Sequence, residues 1–199
     1  MRFEQQIYGI LAAIIVSTVI ISILSAWYSY PNPQIIQDFE NGFGEWVTDA
    51  DVPLDPNNPG HPVEWHITRV TSVTHSGQYS LEFFIDGGQD DGTIWIERKI
   101  DVKKNSQIQV KVSFEFYSEQ ESFNTIAAVC AYAGIRNPEV EEDLAVLGLA
   151  NEFAGWKNYT YRTNLSSDSS EEVWVALGIT VRWETYMTYY IDDVEMEIK

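Results

Sequence analysis

The pattern of apolar and polar residues divides the chain into one long apolar run near its start and a series of short alternating segments. Residues 7–27 contain no charged side chain. As a helix, this run would be about 30 Å long, close to the thickness of a membrane hydrocarbon core. From residue 35 onward the hydrophobic period is mostly two, which predicts β-strands.

Three segments alternate most strictly. In residues 108–117, Ile, Val and Phe at even positions are separated by Gln, Lys, Ser, Glu and Tyr at odd positions, and residues 79–85 and 173–183 follow the same rule. Residues 126–133 are apolar on both faces, as expected of a strand covered on both sides. Further strands are predicted at 35–40, 63–70, 93–102, 156–164 and 186–198.

Turn-forming residues separate these strands at short intervals, for example at Asn41-Gly42, Ser76-Gly77 and Asn137-Pro138. About nine or ten short strands joined by such turns predict an all-β domain, either a sandwich or a barrel. Segment 139–152 is ambiguous, since its pattern fits a short helix and a loop with a short strand equally well.

The apolar run is predicted to be a single transmembrane helix over residues 7–28. Arg2 is the only basic residue before it, and no Lys or Arg follows until Arg69. Because basic residues stay on the cytoplasmic side, the N-terminus is expected inside and the rest outside the cell membrane. The predicted organisation is a cytoplasmic end, the helix, a stalk and an extracytoplasmic domain at 1–6, 7–28, 29–34 and 35–199.

Two alternatives to a membrane anchor remain open. A cleaved signal peptide would release a secreted domain, although the apolar run is longer than the usual signal core. A pilin-like segment would instead pack into a fibre. Both the anchor and the cleaved signal peptide would export the remaining residues.

The chain is strongly acidic, with 30 Asp and Glu against 12 Lys and Arg and a net charge of −18. Such a surface repels nucleic acid, so no nucleic-acid partner is expected. The single cysteine, Cys130, excludes an intrachain disulfide and lies in an apolar run, which predicts an unreactive core thiol.

Three short motifs occur in a familiar order. The first strand ends in Phe39-Glu40-Asn41-Gly42 with Trp46 after it, a middle turn reads His75-Ser76-Gly77, and the last strand reads Tyr190-Ile191-Asp192-Asp193-Val194. This arrangement resembles carbohydrate-binding modules of families 4, 9 and 22 in the galactose-binding-like group. The resemblance covers residues 35–199 and implies a jelly-roll β-sandwich that binds glycan without catalysis.

The resemblance also implies a structural calcium ion. By position, Glu40 and Asp192 or Asp193 would supply carboxylates, and the backbone near Ser76 would supply a carbonyl; calcium prefers such oxygen ligands. Independently of the family, Ile191 and Val194 can both face inward only if the strand bulges at the two aspartates. The loop at 86–92 is expected to be polar without a metal.

Aromatic residues on the polar side of their strands are candidates for stacking on sugar rings. Trp95, Trp174 and Tyr117, with Glu115 and Arg182 as polar partners, are predicted to form such a platform. The alternative is that a loop or segment 139–152 covers these aromatics and that they serve stability alone.

The remaining motifs are glycosylation sequons and a group of His and Glu residues, and neither indicates a function by itself. Asn158 and Asn164 begin glycosylation sequons, which matter only in a host with that machinery. His61, Glu64 and His66 match no strong zinc signature, and no catalytic constellation is present, so an enzyme is not expected.

The sequence therefore predicts a membrane-anchored, non-catalytic module at the cell surface that recognises glycan or a glycosylated surface component. One alternative is a structural or assembly subunit of a membrane-anchored complex or extracellular fibre. Another is a hydrolase whose site has no recognised motif. The oligomeric state and the choice between glycan and a cell-surface protein as partner stay open.

Overall fold

The computed structural model describes residues 34–86, 92–121, 126–183 and 188–199, and of residues 126, 182 and 183 only the backbone. The predicted cytoplasmic end, the transmembrane helix at 7–28 and all but the last residue of the stalk lie outside these ranges. Within them, no helix has the length and apolar character needed to cross a membrane.

The described residues form a sandwich of two antiparallel sheets. We call the first the front sheet; its strands are β1 (Gln34–Gln37), β3 (Trp65–Val70), β4 (Ser80–Ile85), β6 (Gln107–Ser118), β9 (Gly155–Ser166) and β11 (Thr188–Ile198). The second is the back sheet; its strands are β2 (Val47–Asp51), β5 (Gly92–Asp101), β7 (Ile126–Gly134), β8 (Ala145–Leu149) and β10 (Glu172–Trp183).

The strand order follows directly from the pairing. The front sheet runs β3-β4-β11-β6-β9, and the short β1 pairs with the second half of β11. The back sheet runs β2-β5-β10-β7-β8. Every segment predicted as a strand overlaps one of these strands, so the prediction of an all-β sandwich is confirmed.

One strand was not predicted from the sequence, and another was predicted only as one of two alternatives. β2 was not predicted, because three of its five residues VTDAD are polar and the strand lies at a sheet edge, where alternation is weak. The ambiguous segment 139–152 contains a short 3-10 helix, Glu141–Asp143, followed by β8, which is the alternative of a loop with a short strand.

The core lies between the two sheets and is built from the inward side chains that the alternation predicts. In β6 these are Val110, Val112, Phe114 and Phe116, all essentially inaccessible to solvent. Each such side chain contributes about 1.5–3 kcal/mol relative to an exposed one. The polar residues between them point outward from the front sheet.

The predicted bulge in the last strand is present. The pairing of β11 with β6 shifts between Asp192 and Glu195, and Asp193 adopts a left-handed backbone with φ of 47°. Ile191 and Val194 are both buried as a result. The bulge also separates the part of β11 that pairs with β4 from the part that pairs with β1.

A second, smaller apolar cluster lies on the outer side of the back sheet. It consists of Trp95, Cys130, Leu144 and Ala176, with Tyr132 packed against them. Leu144 directly follows the 3-10 helix, so the segment that connects β7 to β8 covers this part of the sheet. The back sheet is therefore buried on both sides at this point.

Candidate functional site

Three aromatic side chains form a row across the outer side of the front sheet. Tyr190 of β11 is paired with Tyr117 of β6, which is paired in turn with Trp156 of β9. The ring centroids are 5.8 Å apart for the two tyrosines and 5.3 Å apart for Tyr117 and Trp156. We call this row the aromatic face.

The three rings differ in accessibility. Tyr190 is 5% exposed, whereas Tyr117 and Trp156 are half-buried and reach solvent. Burial raises the pKa of the Tyr190 hydroxyl above its usual range. The accessible part of the aromatic face is therefore the pair formed by Tyr117 and Trp156.

Hydrogen-bonding side chains border the row on the next positions of the same strands. The Asn158 amide donates to Glu115 at 3.0 Å, and both residues lie one outward position from the aromatic pair. On the other side, Glu82 is paired with Tyr190, and its carboxylate lies 3.3 Å from the imidazole Nε2 of His66. His66 itself stacks on Phe84 at 4.8 Å.

The loop that connects β3 to β4 reaches this side of the sheet through His75. Its imidazole Nδ1 is 2.6 Å from the Asp193 carboxylate, and its ring meets Trp156 edge-on at a centroid distance of 5.3 Å. The hydrogen bond to Asp193, reinforced by the charge of Glu115, raises the pKa of His75 above 6.5 despite some burial. His75 therefore links the bulge in β11 to the aromatic face.

A cavity of about 280 Å³ lies beside the aromatic pair. Polar side chains supply most of its lining: His75, Ser113, Glu115, Asn158, Asp193 and Glu195. The larger cavity of about 540 Å³ lies at another place, against Arg98 and Lys99, and no aromatic ring lines it. Only the smaller of these two cavities combines hydrogen-bonding groups with neighbouring rings.

The residues predicted to bind calcium do lie together, at the bulge and the loop that packs on it. Asp192 accepts hydrogen bonds from the backbone N–H groups of His75 and Ser76 at 2.9 and 3.2 Å. Asp193 accepts from the Ser76 hydroxyl at 2.7 Å and bonds His75 through its other oxygen. Burial raises the pKa of Asp192, although the three backbone N–H groups bonded to it act in the opposite direction.

Glu40 secures the same loop from the other side. One of its oxygens accepts from the backbone N–H groups of Gln78 and Tyr79 at 2.7 and 2.8 Å. Gly77 stands in the turn with φ of 59°, and a Cβ there would collide with the Glu40 carboxylate. Glycine is therefore required at this turn for conformation and for space.

The carbonyl groups beside Glu40 face an arginine. Arg69 donates from Nε to the Phe39 carbonyl at 2.6 Å and from Nη2 to the Glu40 carbonyl, and its guanidinium lies 3.2 Å from the centre of the Tyr79 ring. Calcium needs about six to eight oxygen ligands, yet the oxygen atoms described here are bonded to N–H and O–H donors.

Within the described ranges there is no group of three or more His, Cys, Asp or Glu side chains that could hold a metal ion. Both oxygens of Asp192 and of Asp193, and one oxygen of Glu40, take part in hydrogen bonds within the protein. Calcium binding by Glu40, Asp192, Asp193 and Ser76 stays a prediction from the family resemblance.

The predicted sugar platform is not assembled as one surface. Trp95 is 0% exposed, because Leu144 and Tyr132 cover it, and its indole N–H donates to the buried Glu97 at 2.8 Å. Burial in turn raises the pKa of Glu97. The prediction that Trp95 stacks on sugar is therefore wrong, and the covering segment that was its alternative is present.

The other platform residues lie on two different sheets. Trp174 lies on β10 of the back sheet and is half-buried. Tyr117 and Glu115 lie on β6 of the front sheet and belong to the aromatic face and its border. The side chain of Arg182 lies outside the described residues, and its strand belongs to the back sheet.

The remaining candidate residues lie outside the predicted sugar platform and the predicted calcium site. Asn158 and Asn164 are exposed on β9, and their glycosylation stays a prediction. Burial raises the pKa of the Cys130 thiol to about 12, which agrees with an unreactive thiol. His66 pairs with Glu82 on the front sheet.

The chain is similar to known proteins in structure but not detectably in sequence. No family model matches the chain, and no curated protein matches it. A solved structure of promiscuous carbohydrate-binding modules from the β-sandwich superfamily is similar, with a TM-score of 0.53, 18% identity and coverage of 84% of this chain and 63% of that one.

A second similar structure is the N-terminal tandem of two family 22 modules from Paenibacillus barcinonensis Xyn10C. Its TM-score is 0.50 at 16% identity, over 84% of this chain and 51% of that chain. This chain thus spans about half to two thirds of the length of these two structures.

The domain has the jelly-roll fold of carbohydrate-binding modules. The prediction from the three motifs is thereby confirmed for the fold. At these identities the likeness extends to the fold alone, because jelly rolls serve many functions and a ligand must be argued from the site.

Sequence reasoning missed Trp156, Tyr190 and His75 as members of the site. The outward parity of Trp156 could have been read from the inward Tyr159 on the same strand, three positions later along an alternating segment. What could not be read is the pairing of β6 with β9, which places Trp156 beside Tyr117.

Proposed function

We propose that the jelly-roll domain is a non-catalytic glycan-binding module and that it binds glycan on the aromatic face. The observation that carries this proposal is the accessible pair of Tyr117 and Trp156 bordered by Glu115 and Asn158. Sugar rings pack their C–H surfaces on aromatic rings, and polar groups at the edge accept or donate to the hydroxyls.

The geometry suits an extended oligosaccharide better than a single deep-bound sugar. The rings of Tyr117 and Trp156 lie side by side on neighbouring strands, with their centroids 5.3 Å apart. Glu115 and Asn158 lie about 7 Å from these two residues along the same strands. One sugar can stack on the rings while its neighbour contacts the border. The jelly-roll fold shared with carbohydrate-binding modules supports this proposal.

We further propose that residues 7–28 anchor the domain in the cell membrane and that the domain lies outside the cell. The uncharged run and the absence of basic residues between Arg2 and Arg69 support this orientation. Membrane fractionation, with protease added to intact cells, tests it. Retention of the chain in the soluble fraction would contradict the anchor.

The test of glycan binding uses the full-length chain in detergent on a glycan array. Wild-type protein should bind a subset of glycans, and Trp156→Ala or Tyr117→Ala should weaken that binding about tenfold or more. Trp174→Ala is the matched control, since it removes a half-buried tryptophan from the other sheet. A bound glycan whose mass is unchanged after long incubation would support a non-catalytic role.

A second candidate is an assembly subunit, which one observation favours. β8 is an edge strand of the back sheet and exposes Val146 and Leu149 at 62% and 55%. An open edge with apolar side chains can pair with another chain. A glycan array without any binding, together with oligomers in detergent that Val146→Lys disrupts, would favour this function.

A further inference from the structure

The cavity beside the aromatic pair is lined by more acidic than basic side chains. Three carboxylates line it, from Glu115, Asp193 and Glu195, and His75 is the only basic side chain in its lining. Even with His75 protonated, the carboxylates outnumber the imidazolium. The cavity therefore favours a ligand group with positive charge.

Two of the three carboxylates, those of Glu115 and Glu195, have no ion-pair partner among the described residues. Glu115 is bonded to the Asn158 amide, and Asp193 to His75 and Ser76. Glu195 is exposed and forms no ion pair within the described part of the chain. Of these three, only Asp193 meets a side chain that can carry positive charge.

The nearest basic side chains on this side of the sheet lie farther along the strands. Lys111 is one outward position beyond Ser113, and its ammonium is bonded to Glu197 at 3.0 Å. Arg162 is paired with Lys111 on β9, four residues from Asn158 or about 13 Å. The basic side chains of Lys111 and Arg162 thus lie farther along β6 and β9 than the pair of Glu115 and Asn158.

A metal ion is not the natural occupant of this cavity. No set of three or more acidic or His side chains in the described ranges is close enough together to bind one. An ammonium group differs, because it offers three separate N–H donors that can reach carboxylates lying apart. Its charge is also easier to remove from water than that of a divalent ion.

We propose that this cavity binds the ammonium group of an amino sugar whose neighbouring residue stacks on Tyr117 and Trp156. This inference rests on the proposed function, since it names the sugar class that the aromatic face would take. The cavity volume of about 280 Å³ is just below the usual range of about 300–1,000 Å³ for ligand pockets, which suits one sugar ring.

The test compares three β-1,4-linked tetrasaccharides that differ only at carbon 2 of each sugar, which carries an amine, an acetamide or a hydroxyl. Binding to the full-length chain in detergent is measured by calorimetry near neutral pH at low salt. The glucosamine tetramer should bind about tenfold more tightly than the other two. Its advantage should shrink as salt is raised, because exposed charges are screened over about 10 Å at 0.1 M.

Two variants locate the effect. Glu195→Gln should weaken binding of the glucosamine tetramer about two- to fivefold, as expected for one exposed ion pair, and leave the glucose tetramer unchanged. Glu142→Gln removes an exposed carboxylate from the segment over the back sheet and should change neither. Salt-sensitive loss in Glu195→Gln alone would support the cavity as the amine site.

Two results would overturn the inference. Equal or weaker binding of the glucosamine tetramer, relative to the glucose or N-acetylglucosamine tetramer, would refute the amine preference while leaving glycan binding intact. Equal loss in Glu195→Gln and Glu142→Gln would show a general charge effect instead of this cavity. If none of the three tetramers binds, the amino-sugar inference is also refuted. The glycan array then shows separately whether the domain binds any glycan.

Discussion

The outer sides of the two sheets show how one sequence pattern leads to two different surfaces. Each carries tryptophan at an outward position of an alternating strand, Trp156 on the front sheet and Trp95 on the back sheet. Trp156 is accessible beside Tyr117, whereas Leu144 and Tyr132 bury Trp95 completely. The strands do not decide this difference; the segment between β7 and β8 does.

The two sides also differ in what holds their coverings in place. Apolar packing of Leu144 on Trp95 holds the segment over the back sheet, together with two hydrogen bonds: Thr93 donates to the Glu141 carboxylate, and the Glu141 N–H donates to Asp51. The loop beside the front sheet is held by hydrogen bonds that it donates to the carboxylates of Glu40, Asp192 and Asp193. The stability of the first covering should therefore be more sensitive to side-chain volume than that of the second.

The largest expected effect is on the free energy of unfolding, and it should differ between the two tryptophans. Trp95→Ala should lower the free energy of unfolding by about 3–5 kcal/mol, as for other large buried side chains. Trp156→Ala should lower it by only about 1 kcal/mol, because the ring is partly exposed and loses mainly its aromatic contacts. Chemical denaturation of both variants measures this, and equal losses would contradict the assignment of covered and open sides.

A somewhat smaller effect is expected at the loop beside the front sheet. Arg69→Ala removes two charge-assisted hydrogen bonds to the Phe39 and Glu40 carbonyls and should destabilise the domain by about 2–3 kcal/mol. Arg69→Lys should restore only part of this loss, because an ammonium lacks the planar fork of donors. Thermal melting of the two variants is the measurement.

The same loop gives the test of calcium. If hydrogen bonds alone hold it, EDTA should leave the melting temperature unchanged and added calcium should not raise it. A fall in melting temperature on chelation, abolished in Glu40→Gln, would instead establish the calcium site that the family resemblance implies.

A further prediction concerns the covering of the back sheet. Cys130 lies under Leu144, and its raised pKa makes the thiol unreactive. Leu144→Ala should destabilise the domain by about 2 kcal/mol and speed labelling of Cys130 by a thiol reagent under native conditions. Trp156→Ala is the control; if it speeds labelling equally, the covering is not what protects the thiol.

The smallest expected effect is on pH dependence, and it separates the two sides. Glu97 and His75 both have a raised pKa, so each favours its protonated form in the folded state. The resulting stability is present below the ordinary values of 4.5 and 6.5 and is lost as pH rises through the raised values. The domain should therefore be more stable at mildly acidic than at alkaline pH.

Matched variants assign the two parts of this pH profile. Glu97→Gln should flatten the fall in stability above pH 4.5, and His75→Gln the fall above pH 6.5. The His75 effect should be slight, since its side chain is 38% exposed. The measurement is the melting temperature of the wild type and both variants as a function of pH. A melting temperature that rises towards alkaline pH would contradict both assignments.

The alternation of residues was enough to predict most of the fold. A period of two revealed the long strands, and the inward parity of Ile191 and Val194 required the bulge at Asp192 and Asp193. The edge strand β2 escaped prediction, because an exposed strand needs no apolar alternation. Strand order was not predictable from periodicity, since pairing depends on contacts between residues far apart in sequence.

The site was harder to predict, because it also depends on contacts between residues far apart in sequence. Parity identifies Tyr117 and Trp95 alike as outward residues, and it cannot say which of them another segment will cover. The segment that covers Trp95 lies some 50 residues later in the chain. Trp156 becomes a site residue only through its pairing with Tyr117 in the neighbouring strand.

The most direct test of the account is to follow the indole N–H signals of the tryptophans by NMR while a glycan selected from the array is added to the full-length chain in detergent. If glycan binds on the aromatic face, the Trp156 signal should shift in proportion to occupancy, and the Trp95 and Trp174 signals should stay in place. A shift at Trp174 without one at Trp156 would place the ligand on the back sheet and contradict the aromatic face as the binding site.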